Sequence, residues 1–128
     1  MNHLLRLLYT SIAGIIAGFL GGFLGMSGTV IVLPLLVLFN IFADYHVAIG
    51  TLLFSFDPFG SIFAVIKNII EKKIDYYVAF ILFLTYIFGS YIGTKYNEKF
   101  NEKSLKYMTS IILLVLSIYM FNNANEIK

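Results

Sequence analysis

Residues Gly14–Phe39, GIIAGFLGGFLGMSGTVIVLPLLVLF, carry no charged side chain and only two hydroxyls, those of Ser27 and Thr29. A run this long and this apolar reads as membrane-embedded rather than as one core helix of a soluble domain. It belongs to two apolar segments, one from about Leu7 to Gly25 and one from Thr29 to Phe42, with only Met26, Ser27 and Gly28 between them. The second has roughly 14 residues, which is short for a full crossing and ordinary for a half-membrane or re-entrant element.

Three more apolar segments follow outward from this pair: Val47–Ile66, Tyr76–Thr94 and Tyr107–Phe121. The first of them is interrupted at Asp57-Pro58. Proline removes a backbone donor and clashes with the preceding turn, so a kink or break is expected there. Tyr76 and Tyr77 fit an interfacial aromatic belt. The polar links are Asn40–His46, Lys67–Asp75 and Lys95–Lys106, the last with Asn97-Glu98-Lys99 echoed by Asn101-Glu102-Lys103 as a solvated helical turn. Alternation of apolar and polar residues, the mark of a spanning β-strand, is missing. The expected fold is an all-α, polytopic transmembrane helical bundle of four or five segments, with a broken or re-entrant glycine-rich first pair. It forms a single transmembrane domain over residues 1–128.

Composition agrees. Of 128 residues, 59% are hydrophobic and 12% charged, against about 25% charged in a soluble domain. The spans leave no chain for a catalytic domain. Zero cysteines exclude thiolate metal sites and cysteine nucleophiles. The net charge of +2 comes from lysines spread over separate links, which reads as solvation of membrane flanks and gives no nucleic-acid surface. Arg6 precedes the first apolar run, but that run continues past signal-peptide length into the next, so no cleaved signal is expected.

Positive charges normally stay cytoplasmic. If the first pair crosses and returns and the third segment crosses, Arg6, Lys95, Lys99, Lys103 and Lys106 share one side. Lys67, Lys72, Lys73 and Lys128 then share the other. Treating the first pair as one broken span regroups the same residues with the same five-to-four balance. Either local features set the orientation, or copies insert both ways up and pair as an antiparallel homodimer.

Gly14, Gly18 and Gly22 recur every four residues, and Gly89 and Gly93 repeat the spacing in the fourth segment. Such stripes let helix backbones approach closely. The junction Gly25-Met26-Ser27-Gly28-Thr29 places flexible and hydroxyl residues between two apolar segments, at membrane depth if the pair is re-entrant. A helix restarting near Thr29 would aim free N–H groups and its positive dipole end at an anion, as broken transporter helices do; a tight turn between packed helices is the alternative. Asp57 is the one acidic residue inside an apolar segment. It either relays a proton or caps the helix that resumes after Pro58. His3 and His46 have no partners at ligand spacing, so no metal is expected.

Gly21-Gly22-Phe23-Leu24-Gly25-Met26-Ser27-Gly28-Thr29, followed by Val32-Leu33-Pro34-Leu35, resembles the glycine-rich turn and proline-bearing helix of the TauE/SafE family of membrane proteins, named for sulfite and sulfonate export. Ala48-Ile49-Gly50-Thr51-Leu52, Ile74-Asp75, Gly89-Ser90-Tyr91-Ile92-Gly93-Thr94 and Leu105-Lys106 continue the resemblance in order. This chain has Ser27 and Thr29 where the turn has glycines, and Leu52 where the family has serine. Family members generally carry two related halves, and the resemblance is to the first.

The resemblance implies a multi-pass protein of the cell membrane that transports, or forms half of a transporter for, a small anionic solute such as sulfite or an organosulfonate. On that reading the substrate contacts are expected at Gly25, Ser27, Gly28, Thr29, Gly50 and Thr51, where the Ser27 and Thr51 hydroxyls and the N–H groups of the restarted helix would bind the oxyanion. Asp57 is the candidate for proton coupling. The expected partners are membrane lipid, the anion, and either a homodimer mate, antiparallel or parallel, or a complementary half; no cofactor is expected. The competing reading is a non-transporting accessory subunit or an inactive half-length remnant. An enzyme is not expected, because no nucleophile–base pair is present.

Overall fold

The computed structural model describes residues 1–127, which form six helices and no strand. They are α1 (His3–Leu24), α2 (Gly28–Leu38), α3 (Tyr45–Phe56), α4 (Ile62–Ile70), α5 (Tyr76–Asn97) and α6 (Glu102–Glu126). Three are long and apolar enough to cross a membrane, α1 and α5 with 22 residues each and α6 with 25. A helix of that length extends about 33 Å or more, enough for the ~30 Å hydrocarbon layer.

The spine of the fold is the pair α1 and α5, which run parallel. At one end Arg6 pairs with Asp75, and the rings of His3 and Tyr77 lie 5.0 Å apart. At the other, Asn97 Nδ2 donates to the carbonyl of Phe23 at 2.6 Å. Between these ends the small-residue stripes interlock. A methyl group at Gly18 would sit 2.9 Å from the Ser90 nitrogen, one at Gly22 2.9 Å from the Ser90 carbonyl carbon, and one at Gly93 2.9 Å from the Phe23 nitrogen. Gly89 meets the backbone of Phe19 at 2.8 Å in the same way, whereas Gly14 faces the side chain of Thr85. Close backbone approach needs glycine here because the obstructing atoms are main chain and cannot turn aside.

α2 folds back against α1. Tyr9 stacks on Phe39 at 5.1 Å, so the C-terminal end of α2 lies near the beginning of α1. Ala13 and Ala17 of α1, Ile31, Val32 and Leu36 of α2, Leu52 of α3 and Val78 and Leu82 of α5 form the buried core. The first pair is therefore broken and returns to its starting end, as the glycine junction predicts.

The third apolar segment is interrupted as expected, but it also reverses. α3 climbs beside α5, with the Ser55 hydroxyl donating to the Ala79 carbonyl at 2.9 Å. After Phe56 the Asp57 N–H closes the last turn on the Leu53 carbonyl, and the chain turns through Pro58, Phe59 and Gly60. The Ser61 N–H bonds to the Asp57 carbonyl and α4 then runs back. Gly50 of α3 lies against Asn68 and the Lys73 carbonyl at the far end of that return. The segment therefore enters and leaves at the same end of the bundle.

This reversal corrects the charge grouping that assumed a crossing. Arg6, Lys67, Lys72 and Lys73 share one end, and Lys95, Lys99, Lys103 and Lys106 the other, so the described residues remain balanced. Lys128 lies outside the described residues. α6 begins with Asn101, whose side chain accepts from the Ser104 N–H at 2.8 Å. It descends along the outside, touching the core through Leu116, and none of its described residues is buried.

Candidate functional site

At the junction of α1 and α2, Gly25 takes the left-handed conformation, φ 71°, and its N–H bonds to the Gly21 carbonyl at 2.8 Å. This is the C-cap geometry that glycine adopts without strain. Ser27 occupies the N-cap position of α2, yet its hydroxyl bonds sideways to Thr29 Oγ1 at 2.9 Å and caps no backbone N–H. The Val30 N–H turns back to the Ser27 carbonyl, so the leading N–H groups of α2 at Gly28 and Thr29 have no side-chain acceptor. Gly28 is buried beneath Tyr86, where a methyl group would come within 2.7 Å of the ring. Gly25 and Ser27 are exposed.

The end of α1 at Phe23 is level with Asn97 and Phe100, and the chain then turns back into the bundle, so that the Met26 carbonyl lies beside Gly21 and Gly28 lies against Tyr86 in the middle part of α5. α1 sets where the chain turns. It starts at His3 and is long enough to cross fully, which carries the turn to the far side.

At the opposite end, Thr51 is wholly buried. Its hydroxyl donates to the Val47 carbonyl at 2.7 Å and accepts from the Asp75 N–H at 2.9 Å. The Asp75 carboxylate in turn accepts from Arg6 at 2.5 Å and from the Val78 N–H at 3.1 Å, capping α5. The Arg6 guanidinium also lies 5.7 Å above the Phe42 ring. These residues clasp the start of α1, the middle of α3 and the start of α5. Gly50 completes the contact by admitting Asn68 and the Lys73 backbone. The two predicted groups are thus apart in the protomer: Gly50-Thr51 lies at the Asp75 end of α5, and Gly25 to Thr29 runs from the far end of α1 back to the level of Tyr86.

Asp57 lies at the tip of the α3–α4 hairpin and is exposed. Its carboxylate accepts from the Ser61 hydroxyl at 2.6 Å, and it makes no side-chain bond to a backbone N–H of α4. The carboxylate stands beside the N-terminal end of α4, whose dipole favours a negative charge. Gly14, Gly18, Gly22, Gly89 and Gly93 are taken up in the α1–α5 contact.

Arg6 and Asp75 were missed as a pair by sequence reasoning. The available signals were a lone cation before an apolar run and an acid just before a helix start. A cavity of about 510 Å³ lies at the Arg6 end between α2, α3 and α6, lined by Leu36, Asn40, Tyr45 and Asn123 among others. None of the predicted site residues lines it.

A sequence model described as "Sulfite exporter TauE/SafE" matches residues 10–127, nearly the whole chain. No curated protein and no solved structure matched. That match and the three membrane-length helices identify a multi-pass membrane protein, and the chain belongs to the TauE/SafE sulfite exporter family of membrane transporters.

Proposed function

We propose that the protein exports a small oxyanion, sulfite or an organosulfonate, as one half of a transport pathway. Beyond family membership, the observation that carries this reading is the α1–α2 break. The Ser27 hydroxyl is engaged with Thr29 and leaves the first N–H groups of α2 open. Gly28 and Thr29 offer backbone donors, the Ser27 and Thr29 hydroxyls offer side-chain donors, and the helix dipole adds partial positive charge. Gly25 permits the turn that presents them.

Gly50 and Thr51 act at the other end of the route, where Thr51 ties α3 to the start of α5. Asp57 couples protons to the movement of the anion. Sulfite and organosulfonate flux in proteoliposomes tests the reading. Thr29→Val and Ser27→Ala should lower flux, and Asp57→Asn should abolish its pH-driven component while the protein stays inserted. Absence of flux for sulfite, organosulfonates and sulfate from folded protein would sink the substrate assignment.

The second reading, a non-transporting accessory subunit, is favoured by the use of both glycine stripes in helix packing and by the separation of the two residue groups. It is selected if folded protein moves none of these anions and a second membrane protein does so only in its presence.

A further inference from the structure

The α3–α4 hairpin dips into the bundle from the Arg6 end without crossing. Ser55 is bonded to Ala79, and Pro58 lies with Phe80 and Phe83 of α5. Those residues follow Tyr76 by up to two helical turns, which puts the tip roughly 10 Å along α5, about a third of the way through a ~30 Å hydrocarbon layer.

The tip is not covered by its own protomer. Asp57 and Gly60 are exposed, and Phe59 and Phe63 are 88% and 86% exposed. The last carbonyls of α3 and the first N–H groups of α4 also end here, as at every helix terminus. Irregular backbone at such a depth occurs only when buried in protein or lining water, and a carboxylate facing lipid is costly. Something outside the protomer must therefore shield the tip.

We propose that this cover is a second copy of the chain in the inverted orientation, whose own hairpin enters from the opposite face and meets the first. The proposal rests on the transporter-half reading and names the partner that completes it. Two observations favour an inverted copy. Among the described residues the cations divide equally between the two ends, so charge does not select one orientation. The hairpin also fills only its own side of the layer. A two-fold axis in the membrane plane leaves the two tips ~10 Å apart in depth, a gap that the exposed Phe59 side chains can span where the axis passes beside the tips. Inverted repeats about such an axis are a common transporter plan.

The chain has no cysteine, so single introduced thiols report unambiguously. Phe59→Cys, and independently Phe63→Cys, should give a covalent dimer with a bifunctional thiol reagent of about 10 Å reach in native membranes. In sealed vesicles of one orientation, an impermeant thiol reagent should label Lys72→Cys and Lys99→Cys to about half each. Labelling of only one of these positions, or no dimer from either tip variant, overturns the proposal; a tip dimer with one-sided labelling shows a parallel pair and overturns it as well. Flux measured on the same vesicles separates the two readings. Flux without tip dimers rejects the inverted pair and keeps the transporter, and tip dimers without flux do the reverse.

Discussion

Replacing Thr51 by valine removes a hydroxyl while keeping the side-chain shape at a wholly buried position. The Val47 carbonyl still accepts its helical bond, so the loss there is small. The Asp75 N–H loses its acceptor, and an orphaned buried donor costs about 1–3 kcal/mol. The added methyl returns about 0.8 kcal/mol of transfer free energy, leaving a net destabilisation of about 0.2–2.2 kcal/mol. Reversible unfolding in mixed micelles measures that difference. Hydrogen exchange localises it, because a local loss of 1.4 kcal/mol speeds exchange of the Asp75 amide about tenfold. Thr51→Ser keeps the hydroxyl and should retain amide protection. If Thr51→Val leaves both stability and Asp75 exchange unchanged, the clasp between α3 and α5 is not what holds this end together. Flux measured on the same variants then shows whether Thr51 also contacts the anion.

Two other perturbations test different parts of the fold. Gly18→Ala should destabilise by about 1–3 kcal/mol because its methyl meets backbone, and larger residues should cost steeply more. Gly25→Ala meets open space and carries only the left-handed strain of about 1–2 kcal/mol; Gly25→Leu should cost no more than alanine in a micelle unfolding series. The hydrogen bond from Lys73 holds the Glu71 carboxyl below the usual glutamate range, with the charges of Lys73, Lys67 and His46 adding to it. A lowered folded pKa stabilises above the unfolded value and is lost as pH falls through the folded value. Carboxyl NMR should show Glu71 titrating low in acid, and Lys73→Met should return it toward the ordinary range.

The sequence carried the membrane, the helices and both interruptions, because these follow from local chemistry. Proline at position 58 cannot continue α3, and Gly25 supplies the left-handed turn that ends α1. What lay beyond local chemistry was direction and depth. Whether the chain continues or reverses after Asp57 depends on the space that Gly50 opens for Asn68 and Lys73, residues on the other arm of the hairpin. The depth of the Gly25 junction depends on α1 beginning at His3, ahead of the first continuous apolar run. Arg6 and Asp75 meet across a sequence separation of 69, which no local pattern encodes. The glycine stripes were visible as small-residue spacing, but their parallel pairing is a tertiary choice.

That parallel pairing constrains biogenesis. The contacts joining α1 to α5 link residues about seventy positions apart, from Arg6–Asp75 to Phe23–Asn97. During synthesis α1 emerges with its glycine stripe bare and waits while α2, α3 and α4 are made. Throughout that interval its small-residue face is open to other helices in the membrane. Folding is therefore committed late, when α5 inserts alongside α1, and a chain halted before Tyr76 holds a spanning helix without the neighbour it was shaped to fit.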